Sequence, residues 1–129
     1  CHLMKDPAKL IIATTNKAPK SMIKKLQQKG INVIITKSKK GMVELHDLMK
    51  QLGKHEITSV MIEGGSQLNS SAIKDGIVDK ALIFTAPKII GNGIGAIGSL
   101  GIKKINKAIN LKNPLTRKIG KDLLIEGYL

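Results

Sequence analysis

Aromatic side chains are almost absent from this chain of 129 residues: they make up 2% of it, as Phe84 and Tyr128, with no tryptophan. That removes the stacking platform on which a single-stranded nucleic acid is usually held. Cysteine is nearly absent too. Cys1 stands alone, so no internal disulfide can form, and a reducing, cytoplasmic setting is expected. Arginine occurs once, as Arg117, so the formal charge of +13 is carried by lysine. Arginine, not lysine, is the favoured reader of base edges. No apolar run reaches the roughly 18 residues of a membrane-spanning helix, and no signal peptide opens the chain. Neither a nucleic acid nor a membrane is therefore the expected partner. A basic nucleic-acid-binding module stays open as an alternative, because the net charge alone would attract a polyanion.

What is present supports a folded core. Hydrophobic residues make up 42% of the chain, and the length suits one domain spanning residues 1–129. The start at Cys1 rather than a methionine reads as the cut end of a longer chain. The lysines are spread out, with Lys37-Ser38-Lys39-Lys40 the tightest cluster. Spread in this way, they read as a solvated surface that helps to attract an anionic small ligand.

Strand-like and helix-like segments alternate along the first two-thirds. Residues 9–15, 31–36, 59–62 and 81–86 are short, apolar and rich in branched side chains, as buried strands are. Between them, Lys20 to Lys29 carries Met22, Ile23 and Leu26 at helical spacing, with Pro19 at its start and Gly30 at its end. Glu44 to Leu52 carries Leu45, Leu48, Met49 and Leu52, and Gly53 ends it. Leu68 to Lys74 carries Leu68, Ala72 and Ile73, and Asp75-Gly76 ends it. Such alternation predicts an α/β fold with a mainly parallel sheet. After a glycine-rich loop from Gly91 to Gly101, residues 107–116 and 122–128 predict an antiparallel hairpin turning at Gly120-Lys121. The sheet is then mixed.

The most informative segment is Ser59-Val60-Met61-Ile62-Glu63-Gly64-Gly65-Ser66-Gln67-Leu68-Asn69. A strand runs into a carboxylate, two glycines and a serine that suits a helix N-cap. Free N–H groups and the positive end of a helix dipole suit a phosphate there. A plain strand-to-helix turn with a solvated Glu63 accounts for the same pattern. In an open α/β sheet, ligands sit beyond the carboxyl ends of the strands. Thr14-Thr15-Asn16, Thr36-Lys37-Ser38 and Glu63-Gly64-Gly65 all reach that edge.

Other candidates carry less. His2, His46 and His55 have no metal spacing, so no metal is expected, and His46 and His55 read as surface residues. Asp79 reads as a turn residue and Lys88 as a solvated lysine. The glycines at 91, 93, 95, 98 and 101 do not follow the Walker or Rossmann pattern and read as a flexible loop.

Three motifs in order give a resemblance: Glu63-Gly64-Gly65, Gly76-Ile77-Val78-Asp79 and Ala86-Pro87-Lys88-Ile89-Ile90-Gly91. With Asp6 to Thr15 upstream, they closely resemble the reductase domain of the bifunctional riboflavin-biosynthesis deaminase–reductase. The resemblance implies a dihydrofolate-reductase-like fold, three-layered, with helices on both faces of the sheet. It implies NADPH-dependent reduction of 5-amino-6-(5-phosphoribosylamino)uracil to the 5-phosphoribitylamino form, by hydride transfer to the ribose C1′. It places Glu63 at the substrate and Gly64, Gly65, Ser66, Gln67, Leu68 and Asn69 at NADPH, with a cis bond between Gly64 and Gly65. It names no catalytic residue within this chain, and it implies a homodimer. Neither a zinc deaminase signature nor the opening strands of such a reductase occurs here, so the chain reads as the C-terminal part of the reductase domain, lacking part of the pocket. A pterin or related pyrimidine reductase of the same fold is the near alternative.

Overall fold

The computed structural model describes residues 10–129, so Lys9 of the expected first strand, Asp6 to Ala8 of the upstream segment and His2 lie outside the described residues. Two compact units divide between Val60 and Met61. In the first, the elements run β1 (Ile11–Thr15), α1 (Lys20–Gln28), β2 (Asn32–Thr36), β3 (Ser38–Lys39), β4 (Met42–Val43) and α2 (Leu45–Lys54). β1 and β2 pair in parallel, with Thr15 opposite Thr36. Both helices pack against β2, whose Ile34, with Ile31 just before it and Leu45 of α2, is buried. Burying such a side chain is worth about 2 kcal/mol. The Thr36 hydroxyl donates to the Thr14 carbonyl at 3.2 Å, tying the carboxyl ends of the two strands together. Met22, expected inward, is 55% exposed.

Helix ends follow backbone geometry more closely than composition. Gly53, expected to stop α2, lies inside it. The left-handed position falls to Glu56, at φ 61, and the Ile57 N–H folds back onto the Leu52 carbonyl at 3.2 Å. α1 closes the same way, with Gly30 at φ 75 and Ile31 bonded to Leu26. In each case an apolar residue just beyond the turn folds back over the helix end, which is the usual partner of this closure.

In the second unit, α3 (Ser66–Lys74) is followed by β5 (Lys80–Thr85), a 3-10 turn at Ile105–Lys107, β6 (Lys112–Ile119) and β7 (Asp122–Tyr128). α3 closes like the other helices, with Gly76 at φ 66 and Ile77 bonded to Ala72. The strand order is β5-β7-β6, with both pairings antiparallel. The expected C-terminal hairpin forms, displaced to start at Lys112. It turns at Gly120-Lys121 with Gly120 at φ 61, as a two-residue hairpin loop requires. β6 carries Pro114 and a register shift between Lys112 and Leu115, beside Asn113 at φ 47. Proline is at home on an edge strand.

Two sheet expectations need correction. The protein is α/β, but the described sheets are small and mostly antiparallel: β1–β2 is the parallel pair. Residues 59–62 form no strand. A strand is a ladder of hydrogen bonds, and no described strand pairs with this segment. Val60 is 46% and Met61 75% exposed. β5, expected as the next parallel strand, pairs antiparallel with β7 because the chain returns through residues 86–111.

Candidate functional site

α3 is uncapped. Its N-cap is Gly65, not Ser66, which is the first helical residue. Gly65 has no side chain to accept from the first turn, and no acidic residue lies in that turn. The first bond into the helix runs from the Asn69 N–H to the Gly65 carbonyl at 3.1 Å. The N–H groups of Ser66, Gln67 and Leu68 therefore point out of the helix start. With the helix dipole they make an electropositive end suited to an anion.

The double glycine has two different jobs. A Cβ on Gly64 would sit 2.5 Å from Cδ2 of Leu68 and 3.0 Å from its Cβ, so glycine here allows Leu68 to close over the turn. A Cβ on Gly65 would meet nothing within 4 Å. That open face lets a bound group approach the backbone. The Gly64–Gly65 bond is trans, contrary to the cis expectation, since no cis bond occurs among the described residues. A non-proline cis bond costs about 3–4 kcal/mol, and the turn is made here with Gly65 in an ordinary extended conformation, φ −70 and ψ 173. Leu68 is 42% exposed rather than inward-facing, whereas Ala72 is fully buried.

Glu63 is exposed and makes no hydrogen bond or ion pair among the described residues. It is a free carboxylate three residues before the helix start.

The glycine-rich segment is pinned to this helix end. The Gly98 N–H donates to the Ser66 carbonyl at 3.0 Å, and the Asn69 amide donates to the Ala96 carbonyl at 2.8 Å. A Cβ on Gly98 would lie 3.1 Å from both the Ser66 carbonyl oxygen and Oγ of Ser70. Residues 96–98 thus form a second wall at the α3 start, with Asn69 as the tie. Reading the glycines as a flexible loop missed this. The available signal was Asn69 itself, a side-chain donor at the start of a helix.

Of the three segments expected at one edge, Thr14-Thr15 and Thr36 are brought together. Glu63-Gly64-Gly65 belongs to the other unit. Asp79 is exposed and its carbonyl accepts from the Leu129 N–H at 3.1 Å; His46, His55 and Lys88 are exposed. Among the described residues no group of three or more His, Cys, Asp or Glu side chains is placed to hold a metal, and no helix is long and apolar enough to cross a membrane.

The sequence also hid a buried ion cluster in the three-stranded sheet. Glu126, in the central strand β7, is 7% exposed. It receives Lys80 of β5 at 3.3 Å and Arg117 of β6 at 3.2 Å. The Lys80 hydrogen bond holds its carboxyl below the ordinary 4.5; burial opposes this and the Arg117 charge adds to it.

Residues 2–125 match the family model of the RibD C-terminal domain. The chain is 38% identical over 106 residues to a riboflavin biosynthesis protein RibD of Actinobacillus pleuropneumoniae, covering 81% of this chain and 28% of that protein. It is 31% identical over 121 residues to a 2,5-diamino-6-ribosylamino-4(3H)-pyrimidinone 5′-phosphate reductase of Aquifex aeolicus, covering 92% of this chain and 53% of that one. The solved RibD of Acinetobacter baumannii (form 2) superposes with a TM-score of 0.80 at 17% identity, over 97% of this chain and 32% of that one. The chain thus spans about a third of the RibD proteins it matches and about half of the reductase. The Glu-Gly-Gly turn, the uncapped helix after it and the wall that closes on it are features of a chain that belongs to the RibD C-terminal domain family.

Proposed function

We propose that the protein carrying this chain is the NADPH-dependent reductase of riboflavin biosynthesis. It reduces 5-amino-6-(5-phosphoribosylamino)uracil to the 5-phosphoribitylamino form. The observation that carries the reading is the α3 start: three outward N–H groups, no cap, no acidic residue in the first turn and an open face at Gly65. That arrangement fits a phosphate of a dinucleotide, so Gly64, Gly65, Ser66, Gln67, Leu68 and Asn69 are assigned to NADPH. When bound, the nicotinamide supplies the hydride. The chain's own part is to position and to exclude water. Asn69 does this by holding residues 96–98 over the helix start, and Glu63 by offering a free carboxylate to the polar groups of the substrate.

The two units are read as parts of one reductase domain, because the family match crosses from one into the other. A homodimer is supported by one face of the three-stranded sheet. The register puts Leu82, Phe84, Leu115 and Ile119 on that face, each 47–60% exposed. The same face carries the Lys80–Glu126–Arg117 cluster between Leu82 and Leu115, so the patch is apolar side chains around an ion cluster, a mixture suited to a partner surface.

The 2,5-diamino-4(3H)-pyrimidinone analogue is the second reading for the substrate, favoured by the Aquifex relative that is named for it. Turnover of the full-length protein with NADPH on the two pyrimidines decides between them. Oxidation of NADPH with neither would remove the proposal. In the same assay Glu63→Gln is expected to raise the KM for the pyrimidine with little change in the KM for NADPH. Equal loss for both would contradict the role given to Glu63.

A further inference from the structure

The tightest run of positive charge, Lys37-Ser38-Lys39-Lys40, follows directly on β2, at the carboxyl end of the parallel β1–β2 pair. The general rule for open α/β units puts ligands beyond that edge. The run does not trail into solvent. It folds back as the β3–β4 hairpin, Ser38 opposite Val43 and Lys39 opposite Met42. Lys40 at φ 53 and Gly41 at φ 81 make its turn. Two successive positive φ values are the mark of a tight hairpin turn that matches strand twist.

The base of the hairpin is held on both sides. The Lys37 carbonyl accepts from the Glu44 N–H at 3.0 Å and shares the single Thr36 hydroxyl proton with the Thr14 carbonyl. The Lys37 N–H donates to Asp47 Oδ2 at 2.9 Å. The Gln51 amide donates to that same oxygen at 2.9 Å and to the Ile35 carbonyl at 3.0 Å. Two carboxylates lie beside the hairpin base: Asp47 Oδ2 already has these two donors, and the Glu44 carboxylate accepts from the His46 and Asp47 N–H groups. The Lys37 and Lys40 side chains are exposed and form no ion pair with a described residue. A fixed backbone limits the ordering cost on binding to the lysine side chains themselves. The Asp47 carboxyl is held below its ordinary value chiefly by the Lys37 N–H and then by Gln51, and the Lys37 charge also helps to hold it there.

We propose that the hairpin at residues 37–41 is a recognition site for a phosphate monoester, with Lys37 and Lys40 as its cations. A phosphate monoester carries close to two negative charges at neutral pH, which matches two ammonium groups on one short hairpin, Lys37 at its base and Lys40 at its turn. The inference rests on the reductase reading for its sources, since that reaction brings two such groups: the 2′-phosphate of NADPH and the 5′-phosphate of the pyrimidine nucleotide.

The test compares the full-length protein with Lys37→Gln/Lys40→Gln and with a charge-matched control on α1, Lys24→Gln/Lys25→Gln. One arm titrates NADPH against NADH, which differ only in the 2′-phosphate. The other titrates ribose 5-phosphate against ribose. Circular dichroism checks that each variant folds. The expected result is a loss of affinity of about tenfold for the phosphorylated member of one arm, with its unphosphorylated counterpart and the α1 control unchanged. The arm that responds identifies the source. No loss in either arm, or equal loss in both variants, overturns the site, because the effect is then absent or merely the long-range field of the protein. NADPH turnover is followed in parallel. Retained turnover without a lysine effect overturns the hairpin site alone. Lysine-dependent phosphate binding without any turnover supports the site and overturns the reductase reading.

Discussion

Gly64 shows how one missing atom shapes the proposed site. A Cβ there would lie 2.5 Å from the Leu68 side chain, closer than real carbons approach. Gly64→Ala is therefore expected to destabilise by about 1–2 kcal/mol through overpacking. In the double variant with Leu68→Ala most of that loss should disappear, a coupling of about 1 kcal/mol by denaturant melts. Additive losses would show that the glycine serves something other than Leu68. Glu126 gives a pH prediction. Its carboxyl is held below 4.5 in the folded state, as that of Asp47 is held below 3.8, chiefly by the Lys37 N–H and then by Gln51. A lowered folded pKa contributes stability above the unfolded value, and that stability is lost as pH falls through the folded one. The protein should lose stability below about pH 4.5. Glu126→Gln should flatten that acid limb while leaving the contribution from Asp47, as read by thermal melts across pH. An unchanged acid limb would contradict the ion cluster's role.

At the scale of elements, the helices were legible and their ends less so. The stripes of α1 and α2, and Gly30 and Gly76 as stops, could be read from spacing and from glycine's tolerance of positive φ. Gly53 could not, because a glycine in sequence does not reveal its φ, and the left-handed turn went instead to Glu56. The cap of α2 is Glu44, whose carboxylate accepts from His46 and Asp47 N–H groups at 3.2 and 2.7 Å. Two glycine variants separate these cases. Gly53→Ala sits in a helix interior with nothing within 4 Å of the new carbon and is expected to stabilise by about 0.5–1 kcal/mol. Gly76→Ala, at φ 66, should cost about 1 kcal/mol or more. Melting temperatures moving in the same direction would contradict the helix ends described. In α3 the Glu-Gly-Gly turn was visible from sequence, but the Ala96–Gly98 wall was not, because it depends on a tertiary hydrogen bond from Asn69.

For the whole molecule, the alternation of strands and helices identified the α/β class, and the three ordered motifs identified the family. Sheet pairing was less legible. An apolar run such as Val60-Met61-Ile62 states that a segment can be a strand, and only a neighbour in register makes it one. The same limit explains β5, whose partner lies some forty residues later in β7. The exposed Leu82, Phe84, Leu115 and Ile119, around the Lys80–Glu126–Arg117 cluster on the same face, predict association of the full-length protein. Sedimentation should show a dimer, and Phe84→Glu with Leu115→Glu should shift it to monomer; a wild-type monomer would leave that face without the partner assigned to it. The central claim is that the α3 start holds a phosphate of NADPH. The most direct measurement is the change in backbone amide NMR shifts of the full-length protein on adding NADPH. The account predicts the largest changes at Gly65, Ser66, Gln67 and Leu68. NADPH binding that leaves these four amides unmoved would contradict it.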